Sequence, residues 1–347
     1  MAFKPMMVSK SMMPSLLKKQ LAYTPSPQPF ETFDGGSWRP SQPPASPGPR
    51  APLTSIRVIT WNITYCAMYP RARMAAALAY LRALVNSIPS YCAIIIHLQE
   101  MMEAHPDPEG DIDHCANDLS QFRNAAWVRR SFNLAGFDNS EWDSRYGVVS
   151  LVDRRLSIAR VSRLRFVSEF ERDALFVDVR LASSPGAILR LCNVHLDSSY
   201  GIVRPIQWAA LAKHLQDTSA GIVASILAGD CNATKPRDVR APQEHGFKDA
   251  YLEDGGKEGD EDGATWGFQS GVASKTRGPM RLDKVVSWGK VDGRGMEKVG
   301  VGIKIQDKKI AKEMEANGEL TFVTDHYGVM AEFFVEQGLD TGAADAV

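Results

Sequence analysis

The sequence predicts an α/β (α+β) fold, a four-layer sandwich in which two packed mixed β-sheets are flanked by helices. From residue 55 the chain reads as strand, helix, strand: "SIRVITWN" alternates between apolar and polar residues, and "YCAIIIHLQE" is an apolar run of strand length. Further strand patterns follow one another closely, which favours antiparallel pairing in the middle of the chain. So many apolar strands are best buried by two sheets packed face to face with helices outside.

The helix between the first two strands is "YPRARMAAALAYLRALVNSI". Pro70 suits a first helical turn, and Met74, Leu78 and Leu81 share one face. A second helix is predicted at "VRPIQWAALAKHLQ", and residues 291–315 predict a strand and a short charged helix. The remaining predicted strands are "YGVVSLVDR", "LSIARVSRLRF", "ALFVDVRL", "AILRLCNVHL", "GIVASILAG", "LDKVVSWG" and "HYGVMAEFFV".

The domain boundary is predicted from proline content. Residues 25–52 contain nine prolines, a composition that favours extended polyproline and cannot build a core. We therefore expect a disordered N-terminal tail at 1–54, a folded domain at 55–336 and a disordered C-terminal tail at 337–347. Within the N-terminal tail, segment 29–40 carries three aromatic residues and is a candidate docking segment that packs on the domain as an extra strand.

Composition is that of a soluble globular protein. Hydrophobic residues make up 44% and charged residues 23% of 347, and no apolar run approaches the roughly 20 residues of a membrane span. The five scattered cysteines include no C-x-x-C pair, which favours a reducing, intracellular location in the nucleus or cytoplasm. The first 30 residues lack acids, so a mitochondrial presequence is the alternative, although arginine is absent before Arg39. Nothing predicts an obligate assembly, and we expect a monomer.

The net charge of −1 limits the class of partner. Residues 1–54 hold six Lys/Arg against two acids, which leaves 34 against 39 in the rest of the chain. Tight nonspecific binding of nucleic acid depends on many contacts between Lys or Arg and phosphates. Any contact of this domain with nucleic acid should therefore be local.

Polar residues interrupt the predicted strands at one recurring position, the strand end. In "SILAGDCNATKP" a buried strand runs directly into a carboxylate and a carboxamide, at the kind of edge where sheets bind ligands. Carboxylates, carboxamides and imidazoles without a cysteine thiolate form the ligand set of a hard cation such as Mg²⁺ or Mn²⁺. The residues at these strand ends are Asn62, Glu100, His195, Asp230, Asn232, Asp283, Asp325 and His326.

Such a set suits hydrolysis of a phosphate ester, whose negative charge repels hydroxide and must be neutralised. Glu100 can bind the metal, while Asp230 can accept the proton of the attacking water and Asn232 can hold that water. Two histidines, His195 and His326, can donate hydrogen bonds to the phosphoryl oxygens. Asp283 can orient His326.

In this order, "TWNI", "HLQE", "NVHLDS", "GDCN", "RLDK" and "TDHYGV" resemble the signature of the endonuclease/exonuclease/phosphatase superfamily, whose fold is DNase I-like. The resemblance spans about residues 56–335. Within the superfamily, "HLDSSYGIVRPIQ" and "ATWGF" are most similar to the tyrosyl-DNA phosphodiesterases that act on 5′ DNA ends. The resemblance implies a Mg²⁺- or Mn²⁺-dependent phosphodiesterase whose substrate is a phosphodiester such as a DNA 5′ end.

The resemblance also implies roles for single residues. Glu100 matches the metal ligand, to which we add Asp325, and Asp230 matches the general acid/base. Asp283 matches the acid that pairs with the last histidine. The residues that match groups holding phosphate or water are Asn62, Asn232, His195 and His326. The expected substrate contacts are Tyr146, Trp266, Arg172 and Ser198.

One departure from the family pattern concerns Thr64, which stands where many members have an aspartate. The missing carboxylate predicts a change in metal affinity or substrate choice. Three hypotheses follow from the sequence: the phosphodiesterase just described, a phosphatase or nuclease of the same superfamily acting on another phosphate ester, and an inactive binding module.

Overall fold

The computed structural model describes residues 10–41, 53–65, 67–103, 116–182, 186–271 and 277–339. Strands dominate these residues. In chain order the strands are β1 (Ser26–Gln28), β2 (Phe30–Phe33), β3 (Trp38–Ser41), β4 (Leu53–Asn62), β5 (Cys92–Met102), β6 (Phe132–Ala135), β7 (Tyr146–Asp153), β8 (Ile158–Arg165), β9 (Asp173–Arg180), β10 (Ile188–His195), β11 (Ile222–Asp230), β12 (Lys248–Asp249), β13 (Asp283–Gly289), β14 (Val291–Val299) and β15 (Gly328–Leu339).

The helices flank these strands. In chain order the described α-helices are α1 (Met13–Leu21), α2 (Pro70–Ser87), α3 (Asp118–Asn124), α4 (Ala126–Ser131), α5 (Arg204–Leu215), α6 (Pro236–Glu244), α7 (Ala250–Glu253) and α8 (Lys308–Ala316). The two long helices predicted from the sequence are α2 and α5. Both begin with proline in the first turn, where the missing N–H costs no hydrogen bond. None of the helices in the described ranges is long and apolar enough to cross a membrane.

The strands form two mixed sheets. Within the described residues, one sheet has the order β1-β8-β9-β10-β11-β13-β12 and the other the order β14-β15-β4-β5-β7-β6-β2-β3. Each sheet contains one parallel pair, β10 with β11 and β4 with β5, and the other pairs are antiparallel. Helices α5 and α2 make the crossover connections that parallel pairs require. The predicted fold class is confirmed.

Apolar side chains fill three layers between and outside the sheets. Alternate residues of a strand point to opposite faces, so Val58 of β4 packs between the sheets whereas Ile59 packs under α2. On the other sheet, Leu191 faces the inter-sheet core and Cys192 packs under Trp208 of α5. Strands buried on both faces explain the near-continuous apolar runs seen in the sequence.

The structure corrects the domain boundary predicted at residue 54. Residues 10–41, expected to be part of a disordered tail, form α1 and the strands β1, β2 and β3. The predicted docking segment 29–40 forms the hairpin of β2 and β3, and β2 pairs with β6.

Segment 10–41 is ordered because several of its side chains are buried against the domain, which its proline content does not indicate. Phe30 enters the inter-sheet core, Leu16 packs against Val203 and Ile206, and the buried Gln20 side chain donates to Arg165 O and accepts from Val167 N. At the other end, β15 continues to Leu339, beyond the predicted boundary at 336. The expected tails at 1–9 and 340–347, and the proline-rich part at 42–52, lie outside the described residues.

Candidate active site

Strand register brings three of the predicted site residues side by side. In the parallel pair of β10 and β11, His195 lies opposite Asp230, and in the antiparallel pair of β11 and β13, Asp230 lies opposite Asp283. The three residues occupy neighbouring strands at one edge of the first sheet. This edge includes the carboxyl end of a parallel pair, where ligand sites of mixed sheets are commonly found.

The second sheet contributes Asn62 and Glu100. In the parallel pair of β4 and β5, Asn62 lies opposite Gln99, and the next residue is Glu100. The pairing of β5 with β7 shifts register between Leu98 and Met101, and Glu100 has a positive φ of 60°. Bulges of this kind redirect side chains next to active sites, and a left-handed glutamate is uncommon. The local conformation of β5 therefore aims the Glu100 carboxylate out of the sheet.

The side chain of Asn62 joins the two sheets at the site. Its Nδ2 donates to Glu100 Oε1 at 3.1 Å and to Asp230 Oδ2 at 3.0 Å, and its Oδ1 accepts from Thr64 N at 3.0 Å. One carboxamide thus holds a carboxylate from each sheet, and Asn62 is completely buried. Asparagine fits because its amide has two donor hydrogens and an acceptor oxygen.

Asp230 lies at the centre of the cluster. Its Oδ1 accepts from Asn232 N at 2.9 Å, and its Oδ2 is 3.4 Å from His195 Nε2 and 3.8 Å from His326 Nε2. Burial and the nearby Asp283 carboxylate raise the pKa of Asp230 to about 6. A carboxylate with a pKa nearer neutrality is better matched to accepting a proton from water.

Asn232 supports the same loop in a left-handed conformation, with φ of 47°. Its Nδ2 donates to Leu196 O at 3.0 Å, so the side chain ties the residues after β11 to those after β10. Asparagine tolerates this region better than most residues.

His326 forms a pair with Asp283. The distance from His326 Nδ1 to Asp283 Oδ2 is 2.8 Å, and both side chains are buried. Burial opposes protonation, but the Asp283 carboxylate outweighs it and raises the pKa of His326 well above its usual value. The imidazolium therefore presents Nε2–H towards Asp230. The other oxygen of Asp283 is buried without a hydrogen-bond partner among the described residues.

His195 differs from His326 in its charge state. Burial, followed by the positive charges of Arg172 and His326, lowers the pKa of His195 well below its usual value. Arg172 Nη1 is 2.8 Å from His195 Nδ1, and because arginine can only donate, the neutral ring carries its proton on Nε2. Both histidines thus point an N–H into the site, one charged and one neutral.

The predicted substrate contacts lie around this cluster. The Arg172 guanidinium is 4.8 Å from the Tyr146 ring centre, and Tyr146 stacks on Tyr65 at 4.0 Å. Tyr65 N also donates to Glu100 Oε2 at 2.9 Å. Ser198 lies in the loop after β10, where its carbonyl accepts from Gly201 N, and no contact joins its side chain to the cluster among the described residues.

Asp325 and Trp266 form a separate contact with Thr64. Asp325 Oδ2 accepts from Trp266 Nε1 at 2.8 Å, and Asp325 Oδ1 accepts from the Thr64 hydroxyl. Although burial opposes ionisation, the charge of His326 and these hydrogen bonds lower the pKa of Asp325. Thr64 Oγ1 is also 2.7 Å from Thr324 Oγ1. Asp325, predicted to bind metal, therefore has both oxygens hydrogen-bonded within the protein.

Two groups of side chains in the described residues could hold a cation. They are Glu100, His195 and Asp230, and Asp230, Asp283 and His326, with one ligand atom of each residue within 4.8 Å of the others. The carboxylate oxygens of these groups are the donors that suit Mg²⁺ or Mn²⁺, because both histidines present N–H groups to the site. The pKa of Asp230 is raised first by burial and then by the Asp283 carboxylate, and Asp283 Oδ1 is buried without a hydrogen-bond partner among the described residues. A divalent cation would offset the repulsion between the carboxylates and could bind this oxygen. The residues present fit such an ion.

Several buried residues that the sequence motifs did not single out hold the Arg172 segment in place. Asp197, fully buried, accepts from Ser168 Oγ, Glu169 N and Gln207 Nε2, and Ser168 Oγ in turn accepts from Arg172 N at 2.9 Å. Arg204 donates to Asp197 O at 2.7 Å. Their signal lies within "HLDSSYGIVRPIQ", where Asp197, Arg204 and Gln207 all occur.

No protein-family model matches the chain, and no curated protein matches it in sequence. Solved structures do match in fold. TDP2 from C. elegans is 21% identical, with 81% of this chain and 75% of that chain covered and a TM-score of 0.57. D. rerio TDP2 complexed with single strand DNA product is 17% identical over 80% of this chain and 98% of that chain, also at 0.57.

An endonuclease/exonuclease/phosphatase from Bacteroides vulgatus is 14% identical, with 82% of this chain and 100% of that chain covered and a TM-score of 0.56. The fold of this chain is therefore that of the endonuclease/exonuclease/phosphatase proteins, with DNase I-like architecture. The resemblance identified from the motifs is confirmed at the level of the fold, including the similarity to TDP2.

Proposed function

We propose that the protein is a metal-dependent phosphodiesterase that hydrolyses a phosphate ester by in-line attack of water. The observation that carries the proposal is the convergence of Glu100, His195, Asp230 and the Asp283–His326 pair at one edge, where both sheets meet. These residues come from five segments distant in sequence. Burial of charged groups costs stability, so four buried ionisable residues beside the partly buried Glu100 mark a candidate functional site.

The chain's own residues supply most of the chemistry. Asp230, held by Asn62 and Asn232, accepts the proton of the attacking water. His326 and His195 each donate from Nε2 to oxygens of the phosphoryl group, where negative charge builds up in the transition state. Asp283 keeps His326 protonated. Glu100 would hold a divalent cation, which would supply neutralisation of phosphate charge when bound.

The substrate we propose is a 5′-tyrosyl DNA end or a closely related bulky phosphodiester. Two observations support this choice: the fold similarity to TDP2, one structure of which is complexed with single strand DNA product, and the aromatic and cationic side chains beside the cluster. Trp266, Tyr146, Arg172 and Ser198 are the proposed substrate contacts. The near-neutral charge limits nucleic-acid contacts to this rim.

We further propose that the protein is intracellular, in the nucleus, cytoplasm or mitochondrion, and acts as a monomer. Cys92, Cys192 and Cys231 are buried free thiols, which agrees with a reducing compartment.

A second candidate function is a phosphatase or nuclease of the same superfamily acting on another phosphate ester. Thr64 favours it, because its hydroxyl faces Asp325 where many family members have a carboxylate. The change alters the surroundings of Asp325 without removing any group of the central cluster. It therefore bears on substrate choice more than on reaction class.

The test is hydrolysis of a single-stranded oligonucleotide with a 5′-phosphotyrosyl group by wild type and Asp230→Asn, with Mg²⁺, Mn²⁺ or EDTA. We expect tyrosine release that requires both metal and Asp230. No release from this substrate, together with metal-dependent cleavage of a generic aryl phosphodiester, would favour the second candidate. No activity on any phosphate ester would indicate the inactive binding module and overturn the proposal.

A further inference from the structure

An aromatic pair with a lysine is connected through the backbone to residues of the site and has no role in the chemistry described above. The rings of Phe268 and Tyr327 are stacked at 5.5 Å with an angle of only 10° between them, and Phe268 is 40% exposed. Lys298 Nζ is 5.8 Å from the Phe268 ring centre and 5.6 Å from that of Tyr327. We call these three residues the aromatic platform.

The platform is rigidly attached to the catalytic edge. Tyr327 directly follows His326, and Phe268 follows Trp266 by two residues. Trp266 forms a β-bridge with His326, and Tyr327 N donates to Thr265 O at 2.6 Å. The platform is therefore fixed to the same backbone that presents His326.

The buried Gln269 adds a second attachment. Its Nε2 donates to Thr324 O at 3.0 Å, and its Oε1 accepts from Gly302 N at 2.6 Å. Gln269 is 4% exposed, although it is next to the exposed Phe268. A segment held in this way presents the Phe268 ring without first having to become ordered, which reduces the entropic cost of binding.

Charge at the platform favours an anionic partner. Among the described residues, no carboxylate forms an ion pair with Lys298, so its ammonium group is available to a phosphate. Parallel rings, one of them partly exposed, with an adjacent cation are a combination that binds single-stranded nucleic acid, because bases stack on aromatic rings while the cation contacts the backbone.

We propose that the aromatic platform binds a nucleotide of a single-stranded nucleic acid whose terminal phosphate lies in the cluster, with a base stacked on Phe268 and Lys298 contacting a backbone phosphate. The inference rests on the proposed function and specifies its substrate class.

The first test measures binding separately from turnover. A fluorescent single-stranded 10-mer with a 5′-phosphate is titrated with wild type, Phe268→Ala and Lys298→Met by anisotropy, in Mg²⁺ at several salt concentrations. We expect Phe268→Ala to raise Kd by about 5- to 160-fold, since stacking contributes about 1–3 kcal/mol per base. Lys298→Met should weaken binding and reduce the salt slope by about 0.7.

Matched controls are an exposed aromatic residue and an exposed lysine away from the platform. Tyr91→Ala and Lys290→Met should leave Kd and the salt slope unchanged. Equal Kd values for wild type and Phe268→Ala would overturn the proposal, as would a wild type that does not bind the 10-mer.

The second test separates this proposal from the proposed function. Hydrolysis of bis(4-nitrophenyl) phosphate, which has no base, should proceed equally in wild type and Phe268→Ala, whereas KM for the phosphotyrosyl 10-mer should rise. If wild type hydrolyses neither substrate but Phe268→Ala still weakens binding of the 10-mer, the proposed function fails and the platform stands. An equal loss of activity by Phe268→Ala on both substrates would overturn the proposal. So would a rise in KM for Phe268→Ala that occurs only when the 5′ tyrosine is replaced by a tyrosine-containing peptide, because the platform would then contact the peptide.

Discussion

Two buried charged clusters lie on opposite sides of β13 and differ in charge balance. On one side, Asp283 belongs to the candidate active site, where its carboxylate and those of Glu100 and Asp230 meet a single imidazolium, His326. On the other side, the next residue, Lys284, is buried with Arg281 against Asp249 and Glu258. The second cluster pairs two cations with two anions.

The pKa values reflect this difference. In the balanced cluster, burial opposes ionisation of Asp249, but Lys284 and Arg281 outweigh it and lower its pKa. At the site, burial and Asp283 raise the pKa of Asp230 to about 6. The fold therefore neutralises the buried carboxylate of Asp249 with adjacent cations, whereas the carboxylates of the site outnumber the one imidazolium among them. Excess negative charge is the property expected of a site that binds a cation and moves a proton.

The largest expected effect is on activity. Asp230→Asn removes the proton acceptor, and we expect kcat to fall by about 10²- to 10⁴-fold. Because the change also removes a negative charge from a crowded cluster, the unfolding free energy of the metal-free protein should be unchanged or higher. Kinetics on the aryl phosphodiester and urea denaturation in EDTA measure the two effects. A lower unfolding free energy of Asp230→Asn would show that the Asp230 carboxylate stabilises the cluster, which would contradict the conclusion that negative charge at the site is in excess.

The balanced cluster should respond in the opposite way. Lys284→Met leaves Asp249 and Glu258 with a single cation, Arg281, and breaking a buried pair typically costs about 3–5 kcal/mol. We expect a lower urea midpoint with kcat per folded molecule nearly unchanged. Lys290→Met, at the exposed lysine that connects β13 to β14, is the matched control and should change neither. Full stability of Lys284→Met would remove the structural role assigned to this cluster.

Metal addition gives a third contrast. A cation that binds only the folded site stabilises it by about 2.7 kcal/mol at a concentration of 100 Kd. We expect Mn²⁺ to raise the Tm of wild type in thermal denaturation and to raise that of Glu100→Gln much less, because Glu100 would be a ligand. Glu244→Gln, at an exposed carboxylate on α6, should behave like wild type. Identical Mn²⁺ shifts in all three proteins would place the ion elsewhere.

The strand-end residues were readable from sequence because their signal is local. An apolar run followed by Asp230 and Asn232, or by Glu100, marks both the strand and the polar residues at its end. The packing of two mixed sheets with flanking helices also followed from local patterns, whereas the order of the strands within each sheet did not. Such patterns identify which residues belong to the site without giving their contacts.

The contacts that could not be predicted join residues far apart in the chain. Asn62 and Asp230 are separated by 168 residues, and the partner of Arg172 is the Nδ1 of His195. The order of segment 10–41 depends likewise on distant partners such as Arg165 for Gln20. Proline content indicated that the backbone of this segment favours extended conformations. It gave no information about the apolar surface that Phe30 and Leu16 cover in the folded domain.

The smallest predicted effect concerns His97, a buried ionisable group of β5 without a charged partner among the described residues. Its Nδ1 is 2.7 Å from Ser150 Oγ, and burial lowers its pKa to about 3. Between pH 6.5 and 3 the unfolded chain binds a proton that the folded protein excludes, so the unfolding free energy falls as pH falls. Relative to His97→Gln, wild type should lose about 2 kcal/mol between pH 7 and pH 5.

Urea denaturation in EDTA at both pH values measures this difference, and the other titrating groups, Asp230 included, are common to the two proteins and cancel. His245→Gln, at a half-buried histidine, is the control and should show a smaller difference. Equal pH dependence of wild type and His97→Gln would mean that the β5 core admits a charged imidazole. In that case burial alone would not explain the raised pKa of Asp230, and the Asp283 carboxylate would have to carry most of it.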